Sequence, residues 1–137
     1  GGVYDDGHNT PLAGKFSYEY DKKAYKAGDD VTVKVKGHGM QSVNAFNFVL
    51  PYRPQDMRFV KAEAVAAKDM RNMTYDRHHS DGSQVLYPTF ANVGNQAMLN
   101  GDETLCELHF KAVRSFTVKQ QAPKGMAVDK NLNELDF

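Results

Sequence analysis

"GDETLCELHFKA", residues 101–112, decides the fold class because a period of two runs through it. The apolar side chains of Cys106, Leu108 and Phe110 fall on one side of an extended chain, and the charged side chains between them fall on the other. This alternation is typical of a β-strand that is buried on one face only. The Cys106 thiol and the His109 imidazole then point to opposite sides of the sheet, which excludes a Cys–His catalytic pair and predicts a buried, unreactive thiol.

The same alternation recurs upstream in three segments. Their apolar positions, each set on one face, are Phe16, Tyr18 and Tyr20; Val31, Val33 and Val35; and Phe46, Phe48 and Leu50. A Gly-Asp turn at 27–30 separates the first two segments, and "GHGM", residues 37–40, interrupts the pattern before the third. We expect Pro51 and Pro54 to end the third strand, since proline cannot donate to a central ladder.

The remainder of the chain is also rich in strand signals. Residues 57–67 are expected to form a strand through about Val65, with room for one or two helical turns only in the segment 61–70. A polar loop follows, with weak strand potential around 73–75, and then a strand interrupted at Pro88. Two short strands close the chain. The sequence therefore predicts an all-β, antiparallel jelly-roll β-sandwich of about nine strands at 15–137, preceded by a linker or irregular arm at 1–14.

Composition excludes several classes of function. The 137 residues suit one domain, and 17 basic and 17 acidic residues cancel, so no overall field favours nucleic acid. No apolar run approaches the roughly 18 residues of a membrane span, so we expect no membrane insertion. The single cysteine forbids an internal disulfide and a cysteine-based zinc cluster. We expect a monomer.

Three stretches in this order resemble the cohesin-like family. They are "YKAGDDVTVKVKG", then "VNAFNFVLPYRPQDMRFVKAEA", then "LNGDETLCELHFKA", and the resemblance extends over about residues 16–137. It implies a nine-stranded jelly-roll sandwich related in fold to some carbohydrate-binding modules. Cohesins of cellulosomes hold calcium-dependent dockerins, and similar modules are non-catalytic parts of large secreted or surface glycoside hydrolases. Where cohesins commonly have Tyr-Asp, this chain has Tyr52 followed by Arg53, so no recognition residue is carried over.

Candidate metal ligands are few. Asp29 and Asp30 lack the spaced oxygen ligands of a calcium loop and are expected to form a plain turn. His78 and His79, with acidic residues nearby, form the best cluster, but adjacent side chains diverge on an extended backbone. The sequence therefore predicts no metal and no cofactor. No two acids are expected to face one cleft, so the isolated domain is predicted not to be an enzyme.

The sequence favours a non-catalytic accessory module of a secreted or surface carbohydrate-active enzyme of bacteria. Its partner would be a dockerin-like or neighbouring protein module, or alternatively a glycan held by exposed aromatic side chains. Tyr52, Tyr75, Tyr87 and Arg77 suit either surface, and tyrosine also tolerates half-buried sheet positions. The predicted interaction surface lies in the segment 71–83, where planar cations and aromatic rings concentrate: Arg71, Tyr75, Arg77, His78 and His79.

Overall fold

The computed structural model describes residues 14–94 and 97–137. These residues form strands and connecting turns, and none of them forms a helix long and apolar enough to span a membrane. The strands are β1 (Lys15–Tyr20), β2 (Ala24–Tyr25), β3 (Asp30–Tyr52), β4 (Met57–Ala64), β5 (Arg71–Asn72), β6 (Tyr75–His78), β7 (Gln84–Tyr87), β8 (Thr89–Ala91), β9 (Leu99–Ala112), β10 (Phe116–Thr117), β11 (Lys124–Asp129) and β12 (Glu134–Asp136).

The long strand β3 takes part in both layers of a sandwich. Its first half pairs with β1 and β9, and β9 pairs with β4; these strands form the first sheet. Its second half pairs with β11 on one side and with β7 and β8 on the other. With β12, β5 and β6 at the edges, these strands form the second sheet. All of these pairings are antiparallel, as the sequence predicted.

A bend near the middle of β3 lets one strand serve two sheets. The ladder to β9 shifts register there, Gly39 has φ 62°, and Ser42 has φ 51°. Both residues lie in the left-handed region, which glycine enters without steric cost. The expected break at residues 37–40 is therefore a bend within a continuous strand.

The core lies between the two sheets. Val33 and Leu108 of the first sheet and Phe48 and Leu86 of the second are fully buried. The Tyr18 hydroxyl donates to the Val49 carbonyl oxygen across the layers at 2.9 Å. The faces assigned by alternation are thus correct for β1, β3 and β9.

Two expectations about strand boundaries were only partly correct: the third strand does end before Pro54, and a strand does begin at Tyr75. Pro51 does not end β3, because it still pairs with Val85 at the edge of the ladder and the strand runs on to Tyr52. The polar loop expected after residue 67 contains β5 and β6, which pair with β8 and β7. Their polar composition reflects their place at the edge of the second sheet. The expected arm at 1–14 lies outside the described residues except for Gly14, and the domain boundaries remain a prediction.

Candidate functional site

The two outer faces of the sandwich differ in chemistry. The outer face of the first sheet, here called the charged face, carries mostly charged side chains of both signs: Ser17, Glu19, Thr32, Lys34, Lys36, Arg58, Lys61, Glu63, Glu107, His109 and Lys111. Many of these side chains already have partners. Lys36 Nζ lies 2.8 Å from Glu19 Oε1, and His109 Nε2 lies 3.1 Å from Glu63 Oε1. Such cross-strand pairs suit a solvated surface.

The outer face of the second sheet, here called the apolar face, is mostly uncharged along its centre. Register and alternating burial place there Ala45, Asn47, Val49, Pro51, Tyr87, Thr89, Ala91, Met126 and Val128, and register adds Val85, which is buried. Charged side chains stand at its edges, with Arg71 and Arg77 on one side and Lys124, Glu134 and Asp136 on the other. An apolar centre with a polar rim is the composition of a protein interface.

The aromatic part of this face is organised by β6 and β7. Tyr75 stacks on Tyr87 with ring centroids 4.6 Å apart and an interplanar angle of 17°. His79 Nε2 lies 3.2 Å from the Tyr87 hydroxyl. Tyr75 is 46% exposed, and Arg77, two residues further along β6, stands on the same side of the strand. The structure therefore brings Tyr75, Arg77 and His79 together.

The remaining predicted residues lie apart from that group. His78 points to the opposite side of β6, where its Nδ1 lies 2.9 Å from Gln84 Oε1. Arg71 is on the apolar face but in β5, opposite Ala91. Tyr52 does not join the surface tyrosines at all: its ring packs edge-on against Phe110 at 5.1 Å, and its hydroxyl donates to Asp76. Burial and the Asp76 carboxylate raise the pKa of Tyr52.

The histidine pair and the acidic turn do not form ligand sets. The imidazoles of His78 and His79 diverge to different partners, as expected for adjacent residues on an extended strand. Asp29 Oδ2 accepts a hydrogen bond from the Lys26 amide at 2.9 Å, which closes the turn before β3.

A grouping on the charged face was missed by the sequence analysis. Within the described ranges, three potential metal ligands come together only at Glu63, Glu107 and His109. The imidazole already interacts with both carboxylates, since His109 Nε2 also lies 3.7 Å from Glu107 Oε1. Glu63 and Glu107 are cross-strand partners. The group could therefore be predicted only from the register between β4 and β9, which the sequence does not reveal. The two carboxylates are solvent-accessible on a flat sheet, whereas acid catalysis needs one carboxyl in an apolar pocket.

The one cysteine has no chemical role in this arrangement. Cys106 is fully buried on the inner face of β9. Burial raises the pKa of its thiol to about 12, so almost no thiolate exists at neutral pH. The predicted buried position is confirmed.

Solved cohesin modules share this architecture, although no family model matches the chain and no curated protein is similar to it in sequence. The cohesin module of a family 33 glycoside hydrolase from Clostridium perfringens has a TM-score of 0.68 and 10% identity, over 93% of this chain and 91% of that one. A type II cohesin domain from the cellulosome of Acetivibrio cellulolyticus has a TM-score of 0.65 and 12% identity, over 90% and 88%. The sixth cohesin of scaffoldin B from that organism, solved in complex with a dockerin, has a TM-score of 0.62 and 16% identity, over 89% and 92%. The chain therefore has the cohesin fold, which confirms the predicted β-sandwich.

Proposed function

We propose that this chain is a non-catalytic docking module that binds a dockerin-type protein through its apolar face. The observation that supports the proposal is the asymmetry between the two outer faces of one rigid sandwich. One face is covered by paired charges, and the other presents Val49, Met126 and the Tyr75–Tyr87 stack. A cohesin of the same fold has been solved with a dockerin bound.

The physical cost of desolvation distinguishes the two faces. Covering the charged face would remove water from ion pairs such as Lys36–Glu19, and the interactions gained seldom compensate fully for the hydration free energy that is lost. Covering the apolar face removes water from aliphatic and aromatic surface, which is favourable by about 25 cal/mol per Å². Arg71 and Arg77 at its edge are of the residue type enriched in interfaces, and they can pair with acidic groups of a partner.

Glycan binding at this face is the weaker alternative. Tyr75 and Tyr87 lie nearly parallel and each covers one face of the other, so the stack leaves a sugar ring at most one face of each tyrosine. A protein partner can use the same stack as a rigid apolar anchor. We further propose that the module belongs to a secreted or surface protein of carbohydrate metabolism; the similar Clostridium perfringens cohesin is a module of a family 33 glycoside hydrolase.

Calorimetry against a panel of calcium-loaded type I and type II dockerins tests the proposal. Val49 and Thr32 are outward-facing positions on the same strand, one on each outer face. We expect Val49→Lys to weaken binding of any dockerin that the wild-type chain binds by a factor of ten or more, and Thr32→Lys, placed near Glu107 and Glu63, to leave it unchanged. Absence of binding across the panel, or equal loss in both variants, would contradict the assignment.

A further inference from the structure

A cleft opens at the end of the sandwich where β1 and β3 finish, and Pro51, at the end of the apolar face, forms part of its wall. Its volume is about 660 Å³, within the range of small-molecule sites. Aromatic walls come from Tyr20, Tyr52 and Phe116. A second cleft of about 790 Å³ shares Tyr20, Thr117, Val118 and Gln120 with the first, so the two clefts adjoin at these residues, and together they are called the groove here.

The wall of the groove is held by contacts with the segment between β1 and β3 and with the end of β3. The Val118 amide donates to the Lys23 carbonyl oxygen at 2.9 Å, and Gln121 Nε2 donates to the Pro51 carbonyl oxygen at 3.2 Å. Phe116 stacks on buried Tyr25 with centroids 5.3 Å apart. The groove is therefore preformed, which lowers the entropic cost of binding a ligand.

Cations outnumber carboxylates two to one along the groove. Six basic side chains line it (Lys22, Lys23, Lys36, Arg53, Arg114 and Lys119) against three acidic ones (Glu19, Asp21 and Asp56). Each carboxylate already has a partner: Glu19 binds Lys36, Asp21 accepts from the Tyr25 hydroxyl, and Asp56 accepts from Arg114 Nε at 2.8 Å. Lys36, Arg114 and Lys22 also take part in ion pairs, the last with Asp29 outside the groove, so Lys23, Arg53 and Lys119 carry the positive charge that remains for a ligand.

Two guanidinium groups come from neighbouring backbone positions at the mouth of the first cleft. The Asp56 amide donates to the Arg53 carbonyl oxygen at 2.9 Å, which places Arg53 in the turn that also holds Arg114 through the Asp56 side chain. Arg114 contacts Asp56 through Nε, so its terminal N–H groups remain to bind a ligand. Guanidinium groups bind carboxylates with two parallel hydrogen bonds.

We propose that this groove binds a carboxylated saccharide, an oligomer of hexuronate residues. Arg53 and Arg114 bind the carboxylate, and the rings of Tyr20 and Tyr52 pack against the apolar faces of the sugars. The Gln120 amide and the Tyr20 hydroxyl meet sugar hydroxyl groups. A repeating polymer of carboxylated rings matches a long groove whose unpaired charge is positive. This site shares only Pro51 with the apolar face, and Ser17, Glu19 and Lys36 with the charged face, so substitutions at Tyr20 and at Val49 test the two proposals separately.

Titration of the whole chain with trigalacturonate, followed by calorimetry and amide NMR shifts, tests the inference. We expect one trisaccharide per chain and shifts concentrated at residues 20–23, 52–56 and 114–121. Arg53→Gln should weaken binding by about tenfold, since a hydrogen bond to a charged group is lost. Arg58→Gln removes an exposed arginine of the charged face and should leave the affinity unchanged. Equal unfolding midpoints of the two variants exclude a folding defect.

Three results would overturn the inference. The first is absence of saturable binding by trigalacturonate at millimolar concentration. The second is equal binding of its methyl ester, because the site would then not recognise the carboxylate. The third is tighter binding of triglutamate than of trigalacturonate, which would assign the groove to an acidic peptide. Loss of trigalacturonate binding in Tyr20→Ala together with retained dockerin binding would support both proposals separately.

Discussion

Phe48 is the side chain whose removal should most damage the sandwich. It is fully buried in the second half of β3, and its ring contacts aromatic rings of β1, of β3 itself and of the C-terminal residue. The ring centroids of Phe16 and Phe46 lie 5.2 Å away, that of Phe137 lies 5.5 Å away, and that of Tyr18 lies 6.2 Å away. Phe48 thus joins β1 of the first sheet to the second sheet and the C-terminal residue.

The cost of Phe48→Ala follows from this environment. Truncation of a buried phenylalanine to alanine costs about 3 to 5 kcal/mol, including the cavity that remains. Edge-to-face and tilted aromatic pairs add to area burial, and four such neighbours are lost here, so we expect about 4 to 5 kcal/mol. Total stability of a domain is about 5 to 15 kcal/mol, so the variant should be close to unfolding.

Urea unfolding followed by far-ultraviolet circular dichroism measures the effect. With a slope of about 1.5 to 2 kcal/mol per molar urea, the midpoint should fall by about 2 to 3 M. Phe59→Ala is the control: Phe59 is half-buried and contacts one ring, that of Phe110 at 5.5 Å, so we expect about 2 kcal/mol. A loss below about 1.5 kcal/mol for Phe48→Ala, or equal losses in the two variants, would refute the assignment of Phe48 to the core.

Three further outcomes follow from local features. Cys106 should react with a thiol reagent only as fast as the protein unfolds, and rapid labelling of the native protein would contradict its buried position. Gly125→Ala should lower the unfolding midpoint strongly, because Gly125 has φ 150° and an added Cβ would overlap the Asn47 carbonyl oxygen; an unchanged midpoint would contradict this backbone approach. Hydrogen bonds from Asn133 lower the pKa of Asp129, so its contribution to stability is present above the unfolded pKa of about 3.9 and is lost as pH falls through the lower folded value. Asp129→Asn should therefore be less stable than wild type at pH 6 but lose less stability on acidification, and parallel pH profiles would argue against it.

Alternation of residue types predicted the local part of the fold. The inward faces of β1, β3 and β9 were correct because a strand has a period of exactly two, and Phe48 or Cys106 can face only one way once their neighbours are placed. The burial of Cys106 and the divergence of His78 from His79 follow from the same rule. These conclusions needed no knowledge of which strands pair.

The pairing of strands that are distant in sequence could not be predicted from the sequence. The bend at Gly39 looked like a strand end, because only the different partners of the two halves of β3 keep the strand continuous. Tyr52 looked like a surface residue, yet pairing of Pro51 with Val85 extends the strand and turns Tyr52 toward Phe110. The contrast between the two outer faces likewise appears only when side chains from strands distant in sequence are placed side by side.

Cross-saturation NMR in a complex with a bound dockerin measures the docking face most directly. Saturation of the dockerin protons should attenuate the methyl signals of Val49, Met126 and Val128 on the apolar face. The methyl signals of Val60, which is 51% exposed in β4 of the first sheet, should keep their intensity. Attenuation at Val60 with none at Val49 and Met126 would place the partner on the other sheet and contradict the account.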